Sequence, residues 1–347
     1  MMELYLFALF VSVILFFITS FAFKKAGIVD KPDGIRKIHK GDIPFGGGLA
    51  LFGSFSIIML LFPDYSLSFK GSLSAMANIW LISIIILFLG LWDDVKPLPT
   101  SARLIVQIFA SWLVIIITDV YVRDLGNLFG WQNIYIDQLG IPLTIFMVVG
   151  VCNAFNMLDG MDGLVGFVLL ITSAAIAVIA SYNGTYGALF LGTLVISIFL
   201  LFNLGLLGRK RKIFLGDSGS MWLGFMAAWS LVVLSQNENM LFPPVTALWL
   251  ILLPLIDAMS TFINRIWNSK SMFTGDRSHI HHMLLDSGLE KWKVLLIFLL
   301  ISILSSSFAV FSVMYNISEY FQFYGFLTIW FMYFLLIKFP LIKKLDS

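Results

Sequence analysis

Residues 141–164 read IPLTIFMVVGVCNAFNMLDGMDGL. The first part, Ile141 to Val151, suits a lipid bilayer, and then a polar side chain arrives at every third position: Asn153, Asn156, Asp159 and Asp162. On an α-helix each step of three turns the side chain by about 300°, so neighbouring members of the series are expected on one broad face. Gly160 and Gly163 then let the backbone leave the helix beside them. An apolar run that ends this way, and resumes at Leu164 with almost no loop, holds polar groups rigidly at a membrane surface.

The whole chain supports that setting. Hydrophobic residues are 59% of 347, charged residues 12%, and mean hydropathy is +0.95, too little polar surface for a water-soluble domain of this size. At ~20 apolar residues per crossing, eleven candidate spans centre near Val13, Ser54, Ser83, Trp112, Met147, Thr172, Ser197, Ala228, Leu252, Ile303 and Trp330. The one around Ala228 has the weakest apolar signal. The first, Leu4 to Phe23, lacks a basic leader and a small-residue cleavage site and reads as a retained anchor. Cys152 is the single cysteine, so there is no disulfide framework. The expected fold is all-α and polytopic, with about eleven transmembrane helices in one domain over residues 1–347, since no internal repeat or long linker divides it.

The basic residues give an orientation. Twenty of the 22 Lys and Arg fall in loops after odd-numbered spans or in the C-terminal tail, leaving only Lys70 and Arg123 on the other side. The positive-inside rule then places the N-terminus outside and the C-terminus in the cytoplasm. The net charge of +2 is segregated by side and forms no nucleic-acid-binding face.

The cytoplasmic loops hold the reactive groups. Asp93 and Asp94, Asp159 and Asp162, and Asp217 each lie where an apolar segment meets the cytoplasm, so three loops bring five carboxylates to one depth. Helix capping accounts for any one of them, and Asp162 before Gly163 and Asp217 before Ser218 suit N-caps. Carboxylates gathered at a low-dielectric boundary repel unless a cation joins them, and hard oxygen ligands suit Mg²⁺ or Mn²⁺, with Asn156 able to add a carbonyl oxygen. Lys37, His39, Lys40, Arg103, Arg265 and the DRSHIHHML stretch face the same layer, where an anion such as a nucleotide diphosphate fits. The RKRK run at 209–212 reads first as a topology signal. His279 and His282, three apart on an expected helix, lack a third zinc ligand nearby in sequence and suit phosphate binding better.

At this point the sequence resembles the polyprenyl-phosphate N-acetylhexosamine-1-phosphate transferases. The matching pieces are KIHKGDIPFGGGLAL (37–51), GLWDDVKPLPTSARLIVQ (90–107), NAFNMLDGMDGL (153–164), FLGDSGSMWLGF (214–225), LPLIDAMSTFINR (253–265) and DRSHIHHML (276–284). HIHH at 279–282, PLID at 254–257 and Arg103 are most similar to the branch that uses undecaprenyl phosphate and UDP-N-acetylglucosamine. One departure is Gly275, where the family often carries a proline.

The resemblance implies a reaction: UDP-N-acetylglucosamine, or another UDP-N-acetylhexosamine, reacts with undecaprenyl phosphate to give UMP and the lipid-linked first sugar of a cell-surface polysaccharide. It further implies a bacterial cytoplasmic membrane enzyme whose site faces the cytoplasm, with Mg²⁺ or Mn²⁺ as cofactor. Asp217 with Asn156 or Asp159 is then expected at the metal. Asp93, Asp94, Asp159 and Asp162 form the catalytic acidic set, with Asp93 and Asp94 orienting the lipid phosphate. Arg265, His279, His281 and His282 are expected on the UDP-sugar, and Lys37, His39 and Arg103 on the lipid phosphate. Direct attack and an aspartyl-phosphate at Asp159 both stay open, as does a homodimer. The rival class is a secondary transporter, for which only Asp257, after a Pro254 expected to kink the ninth span, lies deep enough; a buried hydrogen-bonding role inside the bundle is the preferred reading of Asp257.

Overall fold

A computed structural model describes residues 2–31, 41–61, 73–184, 188–236, 240–267 and 279–338. Lys37 and His39 lie outside the described residues. The helices in chain order are α1 (Met2–Ala26), α2 (Gly47–Leu61), α3 (Leu73–Val95), α4 (Thr100–Thr118), α5 (Gly140–Leu158), α6 (Leu164–Tyr182), α7 (Ala188–Asn203), α8 (Gly216–Gln236), α9 (Thr246–Leu250), α10 (Leu252–Trp267), α11 (Ile280–Asp286), α12 (Lys291–Met314) and α13 (Glu319–Lys338). Among the described residues seven helices are long and apolar enough to cross a membrane, and the protein is an all-α, multi-pass membrane protein. Apolar side chains such as Phe10, Phe21, Leu81, Ile105, Phe146 and Leu304 stay exposed on the outside of the bundle, as lipid contact requires.

Helix α8, the weakest of the eleven in sequence, is the centre of the fold. It is the least apolar of the seven long helices and the most enclosed, packed by α2, α3 and α5. Between helices in lipid, small residues are favoured because backbones can then approach closely. Gly48 and Gly90 serve that end: a Cβ on Gly48 would meet the Gly219 nitrogen at 2.4 Å, and one on Gly90 would meet Ser218 Cα at 2.3 Å. Polar tethers add direction, with Trp222 Nε1 donating to Ser83 Oγ (2.9 Å) and Asn153 Nδ2 donating to Gln107 Oε1 (2.7 Å).

The ninth span departs from expectation in where it breaks. The helix is interrupted at Ile251 (φ −123°, ψ 33°), three residues before Pro254, which sits in the first turn of α10. Proline lacks the N–H that would bond the carbonyl four residues back, at Leu250. That carbonyl accepts instead from the Thr172 hydroxyl at 2.7 Å.

A two-stranded antiparallel pair, β1 (Val29–Asp30) and β2 (Ile43–Pro44), closes the end of α1. From there Gly47 and Gly48 donate to the carbonyls of Phe214 and Leu215 (3.0 Å each), which fixes the starts of α2 and α8 side by side.

Candidate active site

The acidic residues are set by helix ends that meet at one end of the bundle. Helix α3 runs out at Val95 and carries Asp93 and Asp94 in its last turn. Asp94 reaches the start of α8, where its oxygens accept the N–H groups of Asp217 (2.7 Å) and Ser218 (3.1 Å). A carboxylate there satisfies orphan donors and faces the positive end of the helix dipole. The caps expected at Asp217 and Asp162 are thus replaced. Asp217 lies inside the first turn and is capped by Asp94, while α6 starts at Gly163 (φ +80°) without a side-chain cap.

Asp93 is buried, accepting from the Leu98 N–H (2.6 Å) and pairing with Arg103 Nη1 (2.8 Å). Its carboxyl also lies close enough to that of Asp217 for the two charges to act on each other. Asp217 Oδ1 accepts from Asn156 Nδ2 (2.7 Å), which also donates to Ser220 Oγ (3.0 Å).

The expected single face of Asn153, Asn156, Asp159 and Asp162 holds only for its first half. Helix α5 stops at Leu158, Asp159 is its C-cap residue (φ −74°, ψ 43°), and the chain turns through Gly160 and Gly163. Asn153 is spent on Gln107, Asn156 on Asp217, and Asp162 forms an ion pair with Lys212 Nζ at 2.6 Å. Lys212 therefore does more than signal topology. The Asp159 carboxylate accepts no hydrogen bond among the described residues. Burial, and then the charges of Asp217, Asp94 and Asp162, push it well above the usual carboxylate range.

The histidines gather on the other side of this turn. His279 is the residue before α11 and is held by Asp257 at 2.8 Å; its ring stacks on His281 with centroids 5.8 Å apart, and His281 meets His282 at 4.2 Å. The helix expected to carry both His279 and His282 therefore includes only His282, since His279 precedes it in extended backbone. His281 is 1% exposed, neither ring nitrogen has a hydrogen-bond partner among the described residues, and a Cβ on Gly160 would lie 2.5 Å from its Nε2. The imidazole thus rests on the acidic turn itself. Its pKa falls to about 4, through burial first and then the neighbouring His282. Arg265, expected in the aqueous layer, is buried in the last turn of α10. Asp257 is a buried hydrogen-bond partner within the bundle, as preferred from sequence.

Sequence reasoning passed over Asn203, Ser220 and Tyr333, and read Lys212 only as a topology signal. Asn203 accepts from the Gly163 N–H (2.6 Å) and donates to the Ile213 carbonyl (3.0 Å), clasping the acidic turn to the strand-like approach to α8. Its signal was available: a lone buried asparagine ending an apolar run.

Among the described residues no three His, Cys, Asp or Glu side chains form a ready-made metal cage. What the site offers is hard oxygen: the uncovered carboxylate of Asp159, the carboxylate of Asp217 and the amide oxygen of Asn156. Neighbouring carboxyls whose charges act on one another, Asp93 on Asp217 and Asp217 on Asp159, are unstable as free anions, and a cation or a shared proton relieves them.

A multi-pass helical bundle that gathers acids, an arginine and stacked histidines at one end has the layout of a membrane enzyme. The glycosyl transferase family 4 pattern matches residues 76–235. Undecaprenyl-phosphate alpha-N-acetylglucosaminyl 1-phosphate transferase of Escherichia coli (strain K12) is 33% identical over 309 residues, covering 87% of this chain and 81% of that protein. The proteins of the same name from Yersinia pestis (34% over 267 residues, 76% and 71% covered) and Haemophilus influenzae (31% over 313 residues, 88% and 85% covered) agree. The chain belongs to this family of sugar-phosphate transferases.

Proposed function

We propose that this chain transfers N-acetylglucosamine 1-phosphate from UDP-N-acetylglucosamine to undecaprenyl phosphate. An oxygen of the lipid phosphate attacks the sugar-bearing phosphorus of the donor, the bridge to the uridine-bearing phosphate breaks, and UMP leaves. One phosphoanhydride is broken as another forms, so the reaction is close to balanced and reversible. What supports the reading is the family membership together with one observation: Asp93, Asp94, Asp159 and Asp217, from three segments far apart in sequence, converge beside Arg103 and the buried His281.

The obstacle is electrostatic. Two unit anions at ~4 Å repel by about 4 kcal/mol at an effective dielectric near 20, so the acidic site needs cations before it admits phosphates. Asp217, Asp159 and the Asn156 amide oxygen would hold Mg²⁺ or Mn²⁺, which would neutralise charge on the phosphates. Asp94 keeps Asp217 in place through the α8 cap, and Asp93 orients Arg103 toward the lipid phosphate. Lys212 offsets Asp162 at the rim. His279, His281, His282 and Arg265 would receive the UDP-sugar, and Lys37 and His39 are assigned to the lipid phosphate from the sequence resemblance alone.

We place the protein in the bacterial cytoplasmic membrane as one domain of eleven spans, N-terminus outside, with the site on the cytoplasmic face. A soluble nucleotide sugar and a lipid phosphate meet only at such an interface. The test is UMP release by the purified chain across a panel of UDP-sugars with undecaprenyl phosphate and Mg²⁺. Wild type should favour UDP-N-acetylglucosamine. Asp217→Asn should lose release by at least a hundredfold, on the order of other charge-stabilising groups, while still inserting into membranes. Failure of the wild type to release UMP overturns the function; full activity of Asp217→Asn removes that residue from the site.

A further inference from the structure

The end of the chain reaches the histidine cluster through a buried polar network. Asp257 on α10 is 3% exposed, His279 5% and Tyr333 on α13 7%. One oxygen of Asp257 accepts from the Tyr333 hydroxyl (2.7 Å) and the Ile280 N–H (3.3 Å), and the other faces His279 Nδ1 at 2.8 Å. The Thr261 hydroxyl stands further from the same nitrogen, at 3.5 Å. An ionised carboxylate only accepts, so three donors suit it and Nδ1 must be the nitrogen that carries hydrogen. A charge in so apolar a place persists only when its lone pairs are filled in this way.

We propose that Asp257 and Tyr333 are positioning residues, which lock His279 in its Nδ1–H form and leave Nε2 as a hydrogen-bond acceptor for a hydroxyl or N–H of the nucleotide sugar. The pair rests on the reading that His279 contacts that substrate. Asp257 alone fixes the tautomer, while Tyr333 keeps the carboxylate ionised and aimed, so the C-terminal helix takes part in substrate binding without reaching the substrate. The stacked His281 transmits the same ring orientation to the acidic turn, because it packs on both His279 and Gly160.

The inference is tested on the full-length purified protein with UDP-N-acetylglucosamine and undecaprenyl phosphate as substrates. Asp257→Asn keeps the volume but can present an amide N–H to Nδ1, which favours the other tautomer. It should raise KM for the UDP-sugar about tenfold to a hundredfold, the range seen when groups that orient a functional histidine are removed, and leave KM for the lipid phosphate unchanged. Tyr333→Phe, which preserves packing, should give a smaller change of the same kind. In a His279→Gln background Asp257→Asn should add nothing further, because its effect runs through that ring. Losses that multiply in the double variant, or that strike both substrates alike, overturn the positioning role. If His279→Gln itself leaves the UDP-sugar KM intact, it is the assignment of His279 to the nucleotide that fails. If His279→Gln is impaired and Asp257→Asn is not, only the positioning role fails.

Discussion

His281 buries an imidazole that neither donates nor accepts a hydrogen bond among the described residues, and its burial bears on stability. Burial, with His282 beside it, lowers the folded-state pKa to about 4 from a usual 6.5, although the charge of Asp257 works in the opposite direction. The folded chain therefore binds fewer protons than the unfolded one between those values, and acid favours unfolding. The contribution of neutral His281 is fully present above pH ~6.5 and is lost as pH falls toward 4, on the order of 3 kcal/mol at full extent. Thermal melts in detergent should show wild type losing stability across that window more steeply than His281→Asn; parallel curves refute the assignment. Residue by residue, the acidic positions were legible because carboxylates at the edge of apolar runs have few other reasons to be there. Their partners were not. Asp94 caps a helix 123 positions away and Asp162 pairs with Lys212 fifty positions on, and only the folded chain brings such groups together.

At the scale of helices, the crossing of α3 and α8 depends on absent side chains. A methyl on Gly90 would sit 2.3 Å from Ser218 Cα, backbone that cannot step aside without moving the cap and Asp217 with it. Gly90→Ala should destabilise by about 1–3 kcal/mol, as overpacking does, and lower UMP release. Gly150→Ala on α5, with nothing within 4 Å of its Cβ, should be neutral or slightly stabilising. Equal effects in melting and activity assays would refute the close-packing account. The broken ninth span invites a cycle of variants. Thr172→Val strands the Leu250 carbonyl and should cost about 1–3 kcal/mol, whereas in a Pro254→Ala background the restored Ala N–H can take that carbonyl and the cost should shrink. Additive losses would show that the threonine and the proline act separately. Sequence predicted a bend from Pro254 but not its place, because proline marks which hydrogen bond is missing while the surrounding helices decide where the chain yields. The three-residue period in 153–162 failed for a related reason: glycines that signalled an exit took effect at Asp159, before the series was complete.

For the whole molecule, each of the eleven midpoints expected from hydropathy falls within a helix or, for Leu252, at the first residue after the break, while the short α11 that carries His281 and His282 lay outside that pattern. It ranked α8 last because that helix is surrounded by protein, where small and polar residues replace lipid-facing ones. The bundle has two distinct ends on which the charge-based expectation of side can be tested: Lys24 donates to the Lys210 carbonyl (2.6 Å) at the end that holds the acids, while Gln236 ties down Arg123 and Asp124 at the other. The cysteine content permits a direct check. Cys152 is fully buried and its thiol faces the Met221 carbonyl, so the native protein should resist a membrane-impermeant maleimide until it is denatured. Against that silent background, a cysteine introduced at Trp131, which is 89% exposed, should label in intact spheroplasts. One at Arg209 should label only after the membrane is opened. Labelling of both positions from the same side would overturn the orientation, and with it the placement of the acidic site beside the cytoplasmic nucleotide pool.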